Sequence, residues 1–293
     1  MIPEFTSVDL GSGIFAGFTA RAGGASTEPY TSLNLGANVG DNPAIVAYNR
    51  SLVAQAIGAP VAFAEQIHGA NVIAITDETP WRNGEPPVSA GQGDGLVTTG
   101  EIGLGVLVAD CVPILLASDT VVATAHAGRR GIELGVIGQV VAAMRAFSPT
   151  YHKIRAAIGP AICGRCYEVP DEMRDEVCRV APQAYATTRT GTAGLDLPAA
   201  ALFQLEAAGV QVVYASPVCT MEDERYYSHR RATAQGTTTG RQAGIVARTH
   251  GGMLGPIRNP RYDTLAAEVT PEVDFPSALP ETENERILQT TMV

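Results

Sequence analysis

The chain has 293 residues, of which 45% are hydrophobic and 17% charged, enough to bury a large core as one big domain or two modest ones. Its 20 Lys and Arg against 30 Asp and Glu leave a formal net charge of −10, which argues against a protein that tracks phosphate backbones and for a small-molecule partner, with no nucleic acid. No stretch is long and apolar enough to span a membrane, and the start MIPEFTSVDL lacks the basic and apolar parts of a secretion signal, so a soluble, cytoplasmic protein without a membrane partner is expected.

Taken in order, IFAGFT (Ile14 to Thr19) reads as a first strand leading into RAGGAST, a turn with Arg21 at the strand's exit. The polar, glycine-dotted YTSLNLGANVGDN reads as a loop. Asn34 and Asp41 are its hydrogen-bonding groups, or simply turn formers. Asp41 as N-cap and Pro43 in the first turn open a helix that Gly58 closes. Val61 to Phe63 and Val72 to Ile75 read as short strands either side of EQIHGAN, which leaves His68 in the connection as a ligand, a base or a solvated loop residue. Asp77 to Gly93, with its prolines and glycines, reads as a long loop.

Leu104 to Val108, Val112 to Ala117 and Val121 to Ala125 are short, β-branched apolar runs and read as buried strands. Cys111 and Asp110 fall between the first two, and His126 falls where the third meets a glycine turn. GRRGIELGVIGQVVAAMRAF then reads as that turn followed by one helix, with Leu134, Ile137, Val141 and Met144 or Ala142 at helical spacing. The helix N-terminus offers N–H groups to an anion, and Arg129 and Arg130 are either phosphate-binding or surface charges. A strand over Ile154 to Ile158, helices from Asp171 to Val180 and from Asp196 to Gly209, and the strand VQVVYAS follow. YYSHRRATAQGTTTGRQAGIVAR reads as a hairpin of two strands, and from Thr249 onward a surface-laid or partly disordered tail is expected.

Three constellations are candidates for chemistry. Five cysteines, an odd number, favour free thiols or metal ligands over a disulfide framework. Cys163-Gly-Arg-Cys166 is a CxxC without a second pair, so two buried or incidental thiols are the simpler reading. A base-deaminase signature is excluded, because no histidine here is followed by xE. The third is His68, Cys111 and His126, each at a strand edge: three protein ligands with an open position suit a catalytic zinc, and the same trio suits a thiolate nucleophile with histidine bases.

The motifs TARAGGAS, SLNLG, VGDN, QIHGANV, DGLVTT, VADCVPILLA, AHAGRRG, AAIGPAICGRCYEV, SHRR and TGRQAG together resemble the multicopper polyphenol oxidase or laccase-domain family, over roughly Ile14 to Ala247. Members are regarded as zinc-dependent purine nucleoside phosphorylases, with adenosine deaminase and methylthioadenosine phosphorylase activities, and some are described as peptidoglycan editing factors. The resemblance implies a complex single α+β domain, a β-sandwich-like core with flanking helices, over residues 1–248, with 249–293 as tail. It implies that His68, Cys111 and His126 bind Zn2+, and that Arg21 and Asn34 line a pocket for a purine nucleoside and phosphate. Asp110 would orient a ligand or shuttle a proton, or be a buried hydrogen-bonded group, and Tyr167 would hold the sugar or be core. Two positions depart from the family pattern: Arg129 stands where Trp is usual, and His229 where Tyr is commoner. The first bears on what stacks over a bound base. A metal-free cysteine hydrolase or amidase acting on a peptidoglycan precursor, a copper oxidase and a non-catalytic binding protein are the alternatives.

Overall fold

The computed structural model describes residues 3–76, 89–147 and 153–249. In chain order it contains β1 (Phe5–Ser7), β2 (Ile14–Thr19), α1 (Pro43–Ile57), β3 (Val61–Phe63), β4 (Val72–Ile75), β5 (Gly95–Thr98), β6 (Gly103–Val108), β7 (Val112–Ala117) and β8 (Val122–Ala127). The second half adds α2 (Arg129–Leu134), α3 (Val136–Phe147), β9 (Arg155–Ile158), α4 (Asp171–Val180), β10 (Tyr185–Thr187), β11 (Ala193–Leu195), α5 (Leu197–Ala207), β12 (Gln211–Ala215), α6 (His229–Ala234) and β13 (Gln242–Arg248). The fold is α+β, as expected. Among the described residues no helix is long and apolar enough to cross a membrane.

Two mixed sheets carry the fold. One has the order β1-β2-β13-β6-β3 and the other β12-β9-β7-β8-β5-β4, and a small β10-β11 pair stands apart. Side-chain alternation along the strands explains the layers. Leu115 and Ala117 of β7 pack with Phe18, Leu104, Val106, Val108 and Val246 of the other sheet, whereas Val112, Ile114 and Leu116 pack outward under α3 and α5. Strands buried on both faces carry no polar alternation, which is why these runs read as continuously apolar. On the far side Ile245 and Ala247 meet Val53, Ala54 and Ile57 of α1. Truncating a fully buried residue such as Leu115 to Ala would cost about 2–5 kcal/mol.

Several connections cross from one sheet to the other, and two of them at the same end carry site residues. β3 leads into β4 through the segment carrying His68, and β6 leads into β7 through Ala109, Asp110 and Cys111. Both connections are therefore inter-sheet joints.

Four expectations change. The cap of α1 is Asn42, whose side chain accepts the Ala44 N–H at 2.9 Å, while Asp41 accepts from Ser26 Oγ and Asn34 Nδ2 instead. The glycine turn and single helix after His126 are two helices, because Gly135 at φ 77° ends α2 in the left-handed region that favours glycine; Leu134 is 54% exposed and Val136 and Val140 take the core face. The hairpin is half right: Gln242–Arg248 is a strand, but it pairs with β2 and β6. His229–Ala234 is a helix, with Ser228 Oγ accepting the Arg231 N–H at 3.1 Å. Most of the long loop (77–88) and of the tail (250–293) lies outside the described residues.

Candidate metal centre

His68, Cys111 and His126 meet. One ligand atom from each lies within 4.8 Å of the other two, His68 Nε2 is 3.8 Å from Cys111 Sγ, and the two imidazoles stand edge to face with centroids 4.8 Å apart. Zn–N near 2.1 Å and Zn–S near 2.3 Å in a tetrahedron put N and S about 3.6 Å apart. His68 Nε2 and Cys111 Sγ therefore already stand close to the spacing that a soft or borderline divalent ion would need.

Local sequence explains how each ligand is held. His126 lies inside β8, where pairing of Pro113 with His126 and of Val112 with Ala127 brings Cys111 beside Gly128. A Cβ on Gly128 would stand 2.9 Å from His68 Cδ2 and 3.1 Å from Cys111 Sγ, so only glycine leaves the ligands room. Gln66 replaces a missing strand: its amide donates to Leu107 O at 2.7 Å and accepts from Leu107 N at 2.8 Å, tying the His68 connection to β6. His68 and Asp110 both sit at positive φ, 57° and 92°, a conformation that non-glycine residues hold only where surroundings over-determine it.

Asp94 supplies that restraint at His68. Its carboxylate accepts the backbone N–H groups of His68 (2.9 Å), Gly69 (2.7 Å) and Ile67 (3.3 Å), and Oδ1 also pairs with His126 Nδ1 at 2.8 Å. Pairing at Nδ1 fixes the ring so that Nε2 faces the cluster, as carboxylates do for metal-ligating histidines. Asp110 is restrained similarly, accepting from Thr220 Oγ1 at 2.6 Å and from the Arg230 N–H at 2.7 Å. It braces the Cys111 turn.

The electrostatics follow from this packing. Burial pushes the Cys111 thiol up, but the charge and hydrogen bonds of His126 and His68 outweigh it and bring the thiol down to about 6. Burial alone would lower His126, yet the Cys111 thiolate and Asp94 carry it up to about 9. Burial also opposes ionisation of Asp94, and His126 together with the Gly69 and Ile67 N–H groups overcomes it, so this carboxyl sits below its ordinary value. All five cysteines are free.

The remaining expected residues lie outside the three-residue cluster itself. Tyr167 feels both Cys111 and Arg129, and burial raises its hydroxyl; Arg230 lies over its ring at 5.0 Å. Arg129 pairs with Glu133 at 3.1 Å. Arg21 stacks on Tyr227 at 5.4 Å and donates to Thr31 O. Asn34 is fully buried, and its Oδ1 accepts from Gly36 N and Arg241 N while Nδ2 donates to Asp41. Its side chain thus holds the Arg241 backbone. Asp94, Gln66, Thr220, Arg230 and Arg241 were not anticipated as site residues. Arg241 is partly buried and lies among charges from Cys111, Asp110 and Tyr30, and His229 is held below its ordinary value by desolvation of its ring and by Arg241.

An α+β fold with a His–Cys–His cluster at its inter-sheet joints defines a protein with a candidate metal centre, a donor set that could hold an ion. Residues 15–249 match the family described as multi-copper polyphenol oxidoreductase laccase, and the chain belongs to that family. It is 47% identical over 244 residues to a purine nucleoside phosphorylase of Streptomyces coelicolor, covering 81% of this chain and 97% of that one. It is 36% identical over 241 residues to the purine nucleoside phosphorylase YfiH of Escherichia coli, covering 80% and 93%. Among solved structures, YlmD from Geobacillus stearothermophilus superposes with a TM-score of 0.73 at 34% identity, covering 82% of this chain and 93% of that one.

Proposed function

We propose that this chain is a zinc-dependent purine nucleoside phosphorylase acting on adenosine, inosine, guanosine and methylthioadenosine, with an adenosine deaminase side activity. The observation that carries the proposal is the His68–Cys111–His126 cluster, and the relatives' names supply the substrate class. The catalytic unit is taken as residues 1–248, in keeping with a family match that ends at residue 249. A zinc ion held by these three side chains would supply positive charge to polarise and orient a reactant.

The chain's own residues account for the rest. Arg129, Arg230 and Arg241 surround the Tyr167, Cys111 and Asp110 neighbourhood with positive charge, which suits an incoming phosphate. A phosphate oxygen bonds to the anomeric carbon of the ribose as the carbon–nitrogen bond to the purine breaks, and the base leaves with the electron pair and takes up a proton. Tyr167, capped by Arg230, offers a flat face and a hydroxyl to the nucleoside.

A second reading has one observation in its favour. Asp94, His126 and Cys111 form a line that a cysteine hydrolase would use, with Asp94 on His126 Nδ1 and the thiolate beyond. A triad needs one imidazole, however, and His68 Nε2 is aimed at the same sulfur. A second histidine on that atom favours the metal. Copper polyphenol oxidation, which the family name suggests, finds less support, since among the described residues the cluster holds two histidines.

The test is to incubate purified protein with inosine or adenosine, with and without phosphate, and to follow ribose-1-phosphate, base and inosine. Phosphate-dependent release that disappears in His126→Ala, with stoichiometric zinc in the wild type, is expected. Protein without zinc, whose activity survives chelation and dies on Cys111 alkylation, would establish the hydrolase instead.

A further inference from the structure

We infer that Cys163, Cys166, Cys219 and Glu222 form a second metal site, a closed four-ligand structural centre for zinc or an ion of like softness, separate from the His68–Cys111–His126 cluster. One ligand atom from each of these four residues lies within 4.8 Å of the others. Three sulfurs and an oxygen are the full complement of a structural zinc, which has four protein ligands and no open position. Zn–S near 2.3 Å gives sulfur–sulfur edges of about 3.8 Å in a tetrahedron, so closure needs a contraction of up to about 1 Å.

The surrounding backbone is built for thiolates. Cys163 and Cys166 are the ends of one tight turn, in which the Cys166 and Tyr167 N–H groups both return to Cys163 O, at 2.9 and 3.0 Å. The Arg165 N–H points at the Cys163 sulfur. Cys219 Sγ accepts the Cys163 N–H at 3.4 Å, as well as the N–H groups of Met221 and Glu222. Backbone donors aimed at the sulfurs are the outer-shell support that metal-bound thiolates use. A parallel bridge between Ala161 and Cys219, with the Thr220 N–H on Ala161 O at 3.0 Å, aligns the two segments.

Charge is matched as well. Three thiolates and a carboxylate around a divalent ion leave two negative charges, and two guanidiniums stand beside them. Arg189 donates to Glu222 Oε1 through Nε at 2.9 Å and through a second nitrogen, and Arg165 acts on the same carboxylate. With Oε1 so engaged, Oε2 is the natural ligand. An ion here clips the turn that ends in Tyr167 to the segment that carries Thr220, whose hydroxyl holds Asp110 beside Cys111. The second centre would thus fix one wall of the first.

Metal analysis of the purified full-length chain tests this. About two equivalents of zinc are expected, falling to about one in His126→Ala and, independently, to about one in Cys163→Ser/Cys166→Ser. Cobalt(II) replacement of the zinc in the wild type and in His126→Ala gives a reading that does not depend on the serine variant folding. Intense sulfur-to-cobalt charge transfer retained in His126→Ala assigns several thiolates to the second ion. A wild-type chain holding one equivalent that His126→Ala abolishes would overturn the proposal. So would a Cys163–Cys166 disulfide by peptide mapping in a chain that takes up no second ion after reduction. A lone equivalent that survives His126→Ala would support the second site and count against the first, so the two readings fail separately.

Discussion

Replacing Asp94 by Asn separates orientation of the metal ligands from mere burial of a charge. Oδ1 of Asp94 serves the His68 N–H and His126 Nδ1, and Oδ2 serves the Gly69 and Ile67 N–H groups. An amide has one acceptor, so whichever way it turns, an NH2 faces two donors. With the NH2 on the first side, His126 must accept at Nδ1 and carry its proton on Nε2, the atom that faces the cluster. With it on the second, two N–H groups of the His68 connection lose their acceptor. Each buried donor left unsatisfied costs about 1–3 kcal/mol, so Asp94→Asn is expected to lose about 2–6 kcal/mol of stability in the metal-free protein. Loss of an outer-shell partner of this kind also lowers metal affinity about 10–100-fold. Urea denaturation in excess chelator reads the first quantity, and competition against a chromogenic zinc chelator at a concentration where the variant is folded reads the second. A variant that is destabilised as expected yet binds zinc within about twofold of wild type would refute the orienting role.

Three further outcomes are expected. Gly128→Ala places a methyl 2.9 Å from His68 Cδ2 and 3.1 Å from Cys111 Sγ, so zinc affinity should fall about tenfold or more while thermal stability in chelator changes little, since backbone φ at Gly128 is −75°; unchanged affinity would show that the ligands have slack. In the metal-stripped protein, a Cys111 thiol at about 6 is a thiolate above that pH and a thiol below it. Alkylation of the Cys111 peptide by iodoacetamide should therefore be half-maximal near pH 6, and an inflection near the ordinary thiol value of about 8.5 would exclude the thiolate–imidazolium pairing. Thr220→Val removes the 2.6 Å hydrogen bond to Asp110 and should cost about 1.5–3 kcal/mol in denaturant titration, because the acceptor is charged and buried.

How far the sequence reveals all this depends on whether a feature is encoded by side-chain pattern or by main-chain contact. The apolar runs of β6, β7 and β8 announce themselves because both faces of their sheets are covered, and Cys111 and His126 stand out as the polar or reactive residues that interrupt them. Asp196 and Asp171 mark helix starts by caps and first-turn charge that sequence displays directly. Asp94 is different. Three of its four partners are backbone N–H groups, which every residue possesses, so nothing in the composition of EQIHGAN points to it; only its place in the DGLVTT motif could have done so. His229–Ala234 reads as strand when neighbouring Tyr and Thr are weighed, whereas the Ser228 cap and the run Arg-Arg-Ala carry the helix. Cys219 escapes because it joins Cys163 and Cys166 through a parallel bridge between distant segments, and no spacing rule spans such a contact.

Since His68 and Cys111 ride on two of the inter-sheet joints while His126 belongs to β8, these side chains are borne by parts of the molecule that lateral sliding would displace relative to one another. An ion held there would be a rivet through both sheets, and its affinity would gauge how well they register. Substitutions deep between the layers, at Phe18 or Leu115 of the core on which Cys111 packs, would be felt as weaker metal retention although neither residue is a ligand. Conversely, loading the centre would raise the force needed to shear the sandwich open at that end, making metal supply a determinant of mechanical as well as chemical competence.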